Sequence, residues 1–485
     1  MERRAKIMAT LGPASSSPEV IRSLLEEGMN IVRFNLSHGT HESHQATVEN
    51  IRRLSEEMDR YVPIVFDLMG PRYRLGQLPD GGIEVHDGQQ VVVAEDGEGV
   101  DLPLDSPGLL RFLRTGERVL IDNGLVELRV EARKADRVIA RVIHGGPVST
   151  RKGINLPDSL LPFQISEKDR ADISFAVQLG VDFIGASYVG SADHLERLRG
   201  VIEASGGELP IIAKLERAAA VEKLDDIVAA ADAVMVARGD LGVEVPLRQV
   251  PVLQKRIIAA GRRTGTPVIV ATQMLESMME QPRPTRAEVS DVANAVFDGA
   301  DVLMLSGETA AGKFPVEAVR TMAQTIIEAE SYGKAGTPPV AGLSGAEPGV
   351  GDEVQFGPID IPDAISSAAA HATELLNVRR IVAFSQGGFT ARLLARYRPK
   401  VSVLVFTTNT ALARRAQLLW GVRPLVLESD VEHHDEVVRV VDRELRARGL
   451  AEPGEVIIVV MGDPIRERPR TNLLRIHRVR DEVPE

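Results

Sequence analysis

Pro210-Ile-Ile-Ala-Lys-Leu-Glu216, Arg217-Ala-Ala-Ala-Val-Glu-Lys-Leu-Asp-Asp-Ile-Val-Ala-Ala230 and Asp232-Ala-Val-Met-Val-Ala-Arg238 follow one another and decide the fold. The outer two are apolar runs of strand length. The middle one carries its apolar residues at helical spacing, so the unit reads strand, helix, strand. The same unit recurs in both directions. Strand-like runs at 4–10, 30–35, 62–68, 182–188, 210–216, 232–238, 266–272 and 301–306 make eight, and Pro18, Pro246 and Pro315 sit where a first helical turn would begin. Such an alternation, repeated eight times, predicts a closed parallel (β/α)8 TIM barrel.

Two breaks in the alternation set the domain plan. Between Pro71 and about Gly153 the pattern changes to short Val-rich strands with turns at Pro79-Asp-Gly-Gly82 and Asp122-Asn-Gly124, which predicts an all-β module inserted after the third barrel strand. Residues 333–358 are rich in Gly, Pro and Ala and read as a linker. Beyond it, strands at 380–385, 401–407, 422–427, 455–461 and 472–479 alternate with helices at 362–376, 388–397, 410–419 and 431–448, the pattern of an open α/β sheet. The expected domains are therefore 1–71 with 154–335, 72–153, and 336–485.

At 485 residues the chain is too long for one core, and roughly two to four domains are expected. No apolar run reaches membrane-spanning length. Met1-Glu-Arg-Arg-Ala-Lys6 leads straight into a strand without the apolar stretch of a signal peptide, so cytoplasmic residence is the expectation. The absence of Cys excludes disulfides and thiolate zinc sites. A net charge of -12 opposes a nucleic-acid partner. Only ten of the 57 basic residues are Lys, so a Lys beside polar residues points to chemistry that needs a compact ammonium.

Polar residues crowd the C-terminal ends of the barrel strands: Thr10, Arg33 and Asn35, Asp67, Ser187, Lys214 and Glu216, Arg238 to Asp240, Thr272, Ser306 and Glu308. That is the face on which barrels place active sites. Helix capping could account for any one of them, but not comfortably for all eight strand ends. Lys214 and Glu216 are two apart on a strand and share a face, and Asp240 follows the next strand. Two carboxylates suit a divalent ion such as magnesium or manganese, with positions left for water and substrate oxygens. Lys214 could neutralise a moving phosphoryl group; a structural Lys–Glu pair is the alternative. At Arg238-Gly-Asp-Leu-Gly242 the glycines permit close backbone approach, and N–H groups there could receive a carboxylate.

At this point the sequence resembles the pyruvate kinase family. The likeness runs through Ala9-Thr-Leu-Gly-Pro-Ala-Ser15, Gly28-Met-Asn-Ile-Val-Arg-Phe-Asn-Leu-Ser-His-Gly39, Arg151-Lys-Gly-Ile-Asn-Leu-Pro157, Ala213-Lys-Leu-Glu216, Met235-Val-Ala-Arg-Gly-Asp-Leu-Gly242, Ala271-Thr-Gln-Met-Leu-Glu-Ser277, Pro282-Arg-Pro-Thr-Arg-Ala-Glu288 and Leu305-Ser-Gly-Glu-Thr309. It implies transfer of the phosphoryl group of phosphoenolpyruvate to ADP, giving pyruvate and ATP, the last step of glycolysis. It further implies that Glu216 and Asp240 hold the magnesium, Lys214 stabilises the moving phosphoryl, and Arg33 grips the phosphate. The backbone at Gly239 and Asp240 would receive the substrate carboxylate, and Thr272 would lie near the enolate carbon, with Ser306 and Glu308 in a proton-relay region. Asn35, His38, Arg74 and Lys152 match nucleotide-side positions, which makes the inserted module a lid that excludes water. A homotetramer is implied in the same way.

The sequence departs from that pattern in three places. Many members bind potassium through positions matching Asn35, Ser37, Asp67 and Leu68, and continue Asp-Thr-Lys-Gly-Pro-Glu. Here Asp67-Leu-Met-Gly-Pro-Arg72 places Arg72 at the Glu position, so a fixed guanidinium stands in for the monovalent ion and potassium independence is expected. Ser187-Tyr-Val-Gly190 lacks the usual Arg, which leaves the contacts of that loop open. In the last domain Phe384-Ser-Gln-Gly-Gly-Phe-Thr390 resembles the family's effector loop, with Ser385, Gln386, Gly387, Gly388, Phe389 and Thr390 at a strand-to-helix turn that presents N–H groups to an anion. Arg466, Arg468 and Arg470 lie in the loop that borders this pocket in the family, where glycines are largely replaced by Arg and Pro, which leaves the effector's identity open; a phosphorylated metabolite or AMP is the expected class. His433-His434 point in different directions on a helix and suggest no metal. Two other functions share parts of this pattern: a magnesium-dependent lyase or aldolase acting on pyruvate enolates, and a non-catalytic metabolite sensor.

Overall fold

The computed structural model describes residues 3–71, 73–95, 97–159, 161–332, 360–428, 431, 434–463 and 470–481. Arg72, His433, Arg466, Arg468 and the linker at 333–358 therefore lie outside the described residues.

Eight parallel strands close into a barrel: Lys6–Thr10, Ile31–Asn35, Ile64–Asp67, Phe183–Ala186, Ile211–Leu215, Ala233–Ala237, Val268–Ala271 and Val302–Leu305. Each falls within one of the eight runs expected from the sequence. The strands bury both faces. Met8, Ile31, Val65, Ile212, Met235, Ile269 and Met304 fill the interior, and Leu418 of the last domain joins them. The alternate positions, such as Ile7, Val32, Phe66 and Val234, face the surrounding helices, as the two-residue period of a strand requires.

The helices start where their sequences end the strand pattern. Pro18–Glu26 begins on Pro18 behind the Ser17 cap, Pro315–Ser331 begins on Pro315, and Glu167–Leu179 and Arg286–Asp298 open with reciprocal capping boxes at Ser166 and Thr285. Two expectations need correction. The segment 217–230 forms two short helices, Ala218–Glu222 and Leu224–Ala230, broken at Lys223. Pro246 caps a 3-10 turn, Leu247–Gln249, and the helix proper starts at Val250 with Pro251 in its first turn.

The inserted module is a curled seven-stranded sheet, in the order Tyr73–Arg74, Gly153–Asn155, Arg118–Ile121, Val126–Arg133, Arg137–His144, Gln90–Ala94 and Leu102–Pro103, with a two-stranded ribbon beside it. Its core, which includes Leu75, Val91, Leu128 and Val138, is separate from that of the barrel. The C-terminal unit is a five-stranded sheet. Four strands are parallel, and Leu473–Arg478 pairs antiparallel with Val456–Met461 at the edge. A buried ion pair fastens it to the barrel floor: Arg398 reaches Asp301 with both terminal nitrogens, at 2.6 and 2.9 Å. Among the described residues no helix is long and apolar enough to cross a membrane.

Candidate active site

The C-terminal ends of the second to sixth barrel strands bring five charged side chains together. Lys214 points inward from the fifth strand, its Nζ 2.8 Å from Ser187 Oγ, 3.3 Å from Glu216 Oε2 and 3.5 Å from Asp67 Oδ1. The two-residue spacing does place Lys214 and Glu216 on one face. Asp67, from the third strand, adds a carboxylate that the sequence did not assign to this group. Its Oδ2 also accepts two hydrogen bonds from Arg33, one of them 2.9 Å from Nε, while Arg33 Nη1 donates to Thr10 Oγ1 at 2.9 Å. Room for Asp67 comes from the neighbouring strand: a Cβ on Gly185 would lie 2.7 Å from Asp67 Oδ1. Asp240 stands in the first turn of the short helix Arg238–Glu244 and is exposed.

One ammonium cannot satisfy every carboxylate, and the titration of the group reflects that. Burial opposes the charge on Asp67, but Lys214 and Arg33 outweigh it and hold the carboxyl below its ordinary range. Lys214 is held above the usual lysine value, because Asp67 and Glu216 overcome the cost of its burial. Glu216 is the under-compensated member. Burial, opposed by Lys214 and reinforced by the Asp240 charge, pushes its carboxyl up to about 7. Oε1 accepts the Tyr188 N–H at 2.6 Å, whereas buried Oε2 has no hydrogen-bond partner. An orphaned carboxylate oxygen under the field of a second carboxylate is chemically suited to a divalent cation, so Glu216 and Asp240 fit the magnesium expected of them.

The loop after the seventh strand is strained and clamped. Thr272 and Gln273 adopt φ of 70 and 54, a left-handed conformation that a β-branched residue occupies only when its surroundings enforce it. The enforcing residue is Arg238, which donates to Thr272 O at 2.7 Å and to Ala271 O at 3.3 Å and is anchored on Asp291 at 2.7 Å. Thr272 Oγ1 accepts the Gly239 N–H at 2.8 Å, so that N–H, expected to face substrate, is engaged by the threonine here. Glu308 is buried, with its oxygens accepting the N–H groups of Leu275 (3.1 Å) and Ser306 (2.8 Å). It ties the loops after strands seven and eight together. Arg238 was visible as a polar position at a strand end, but nothing in the sequence marked it as the clamp on Thr272.

On the nucleotide side, His38 is exposed, and Arg74 donates to Arg151 O at 2.9 Å. Lys152 pairs with Asp122 at 2.6 Å, which joins the module's return strand to its Asp122-Asn123-Gly124 turn. Near the expected monovalent site, Asn35 and Asp67 are register partners. Asn35 Oδ1 accepts the Ser37 N–H at 3.1 Å, and Leu68 O accepts the Ser187 hydroxyl at 2.8 Å. Ser37 Oγ and Asp67 Oδ1 are buried without hydrogen-bond partners. The loop at Gly190 is held by His194, which accepts the Gly190 N–H at 3.0 Å and stacks on Phe163.

In the last domain the expected effector residues divide. Ser385 Oγ accepts the Gly388 N–H at 3.0 Å, and Thr390 Oγ1 lies 2.8 Å from Thr471 Oγ1 in the interior. Gln386 accepts from Thr407 and Thr408, each hydroxyl at 3.1 Å. Gly387 and Phe389 are exposed, with the Arg470 guanidinium 5.5 Å above the Phe389 ring. A cavity of about 260 Å³ lies between this turn and the barrel floor, with Asp232, Gln386, Arg392 and Arg415 in its walls.

Known proteins match the chain over nearly its whole length. The family "Pyruvate kinase, barrel domain" matches residues 2–319, and "Pyruvate kinase, alpha/beta domain" matches 363–477. The pyruvate kinase of Corynebacterium glutamicum is 42% identical over 488 residues, covering 100% of this chain and 99% of that protein. That of Mycobacterium tuberculosis is 41% identical over 486 residues, covering 99% and 100%. The crystal structure of a pyruvate kinase from Cryptosporidium parvum superimposes with a TM-score of 0.87 at 33% identity, covering 98% of this chain and 96% of that one. The chain therefore belongs to the pyruvate kinase family, and its activity is that of a pyruvate kinase.

Proposed function

We propose that this chain moves the phosphoryl group of phosphoenolpyruvate to ADP at the Lys214, Glu216 and Asp240 cluster, with Arg33 and Thr272 on the substrate. The observation that carries the assignment is the buried Oε2 of Glu216, which accepts no hydrogen bond and lies 3.3 Å from the Lys214 ammonium. Glu216 and Asp240 would hold magnesium, which when bound supplies positive charge to phosphoryl and carboxylate oxygens. Lys214 keeps its proton throughout and offers an ammonium to the phosphoryl as it leaves one oxygen for another. Arg33, already fixed by Asp67 and Thr10, loses little side-chain freedom on gripping the phosphate. Thr272, held by Arg238, places a hydroxyl where the enolate carbon takes up its proton, with Ser306 and Glu308 ordering the adjacent loops.

On this reading Asn35, His38, Arg74 and Lys152 meet the nucleotide as the lid closes and keeps water from the phosphoryl. The domains are 1–71 with 154–335, 72–153, and 336–485; the lid's separate apolar core supports its standing as a unit, and that core runs on to Ile154 and Leu156. Homotetrameric assembly enters by likeness to the family alone.

Potassium independence rests on the place of Arg72 in the sequence, where it would supply a fixed cation to the group of Asn35, Ser37, Asp67 and Leu68. Pyruvate formation with magnesium and only a bulky organic cation is expected to match the rate with potassium chloride. A large activation by potassium would remove this role from Arg72.

The turn at 385–390, the Arg470 side chain and the adjoining cavity support a phosphorylated effector, AMP or a sugar phosphate. Titrating each at subsaturating phosphoenolpyruvate is expected to change the rate severalfold for at least one of them, of the order of ordinary allosteric coupling (about 5- to 150-fold). Flat curves for all would leave the turn as a helix start only.

A further inference from the structure

Two chain segments join the lid to the barrel, and one buried carboxylate touches both. The outgoing segment leaves the third strand at Asp67 and bends at Gly70. The incoming one enters the helix Glu167–Leu179 through Ser166. Asp169, 2% exposed, accepts the Ser166 N–H (3.1 Å) and hydroxyl (2.7 Å) at Oδ2, and the Gly70 N–H (3.2 Å) at Oδ1. The Oδ2 bonds complete a capping box. The Oδ1 bond serves no helix; it crosses to the other arm of the lid.

The bend at Gly70 has nowhere to slide. Its φ is +65, and a Cβ there would come within 2.9 Å of Ser187 Cβ and 3.0 Å of a Tyr188 ring carbon. These are the residues that give a hydroxyl to Lys214 and a backbone N–H to Glu216. The same helical turn also reaches the loop after the second strand: Lys168 Nζ donates to Leu36 O at 2.8 Å and to Asp172 at 2.5 Å.

We infer that Asp169 is the pin of the lid hinge, a positioning residue whose two oxygens fasten the outgoing and incoming segments to one point beside the active site. The lid then moves as one body against this point and returns Arg74 and Lys152 to a fixed place over the barrel mouth. The kinetic part of this inference rests on the nucleotide reading of Arg74 and Lys152.

An amide has a single acceptor oxygen, so Asp169→Asn cannot accept the backbone N–H groups of both arms. Ser166→Ala removes the cap hydroxyl and leaves the Gly70 bond. Because the chain has no Cys, nitroxide labels can be placed at Ala135→Cys on the lid and Glu203→Cys on the barrel, both exposed, and their separation measured by pulsed electron paramagnetic resonance in the full chain. Asp169→Asn is expected to broaden the distance distribution and to raise KM for ADP about fivefold with kcat within about twofold; Ser166→Ala should change neither. A wild-type distribution in Asp169→Asn, or the same broadening in Ser166→Ala, would overturn the hinge role. Broadening with an unchanged KM for ADP would support the pin and sink the nucleotide role of Arg74 and Lys152. Should Asp169→Asn not fold, amide exchange in the wild-type chain decides: Gly70 and Ser166 protected alike supports the pin, and a freely exchanging Gly70 beside a protected Ser166 overturns it.

Discussion

Lys214→Met is expected to lower kcat about a thousandfold, some 4 kcal/mol of transition-state stabilisation, with KM for phosphoenolpyruvate little changed. The size follows from the setting. The ammonium is largely buried among Asp67, Glu216 and Ser187, where the dielectric is low and a charge counts for more than in water. Met matches the length and removes the charge, so geometry is preserved while the phosphoryl loses its counter-charge. The variant also leaves two buried carboxylates facing each other across the gap. Asp67 keeps Arg33, so Glu216 is the one driven further toward its neutral form. A coupled assay for pyruvate formation reads the loss directly; turnover equal to wild type would take Lys214 out of its role.

Glu216→Gln is expected to weaken magnesium binding at least about a hundredfold, since even outer-shell partners of a metal cost ten- to a hundredfold. The wild-type protein carries a further signature. With the metal-free carboxyl pushed up to about 7, the proton competes with the ion. Apparent affinity should fall about tenfold for each pH unit below 7 and level off above it. Titration calorimetry should show about one proton released per ion at pH 6 and almost none at pH 8, and the Glu216→Gln variant should show no such slope. A flat wild-type profile would mean that Glu216 does not titrate against the metal. The same shift acts on folding with a definite sign. The folded state holds this proton more tightly than the unfolded chain, so the cost of burying the charge is absent below about pH 4.5 and fully present above about 7. That amounts to roughly 3 kcal/mol in metal-free protein, which bound metal offsets.

The barrel was legible because its strands are apolar on both faces over most of their length and two of its helices open on Pro18 and Pro315 as expected. Lys214 and Glu216 were legible as a pair because a strand has a period of two. Their union with Asp67 was not, since strands three and five are separated in the barrel by the fourth strand. Which inward side chains meet across a closed sheet depends on stagger and tilt, not on any local spacing. The helix interruption at Lys223 and the short helix Arg238–Glu244 were missed for a related reason. Tertiary packing sets where such brief helices stop, and intrinsic preference is a weak guide over one or two turns. The left-handed Thr272 had no sequence signal, because Thr is a poor choice for that conformation and is held there by Arg238 from another strand. Asp169 carried no sequence signal, because its second oxygen meets the Gly70 N–H from a distant part of the chain.

The proposed mechanism turns on Glu216 and Asp240 clasping one divalent ion next to Lys214. Crystals grown with manganese and measured at its absorption edge test this most directly. An anomalous peak is expected about 2.1 Å from one oxygen of each carboxylate, a distance typical of small divalent ions. A well-formed peak elsewhere, with Glu216 and Asp240 both turned away from it, would contradict the shared metal site.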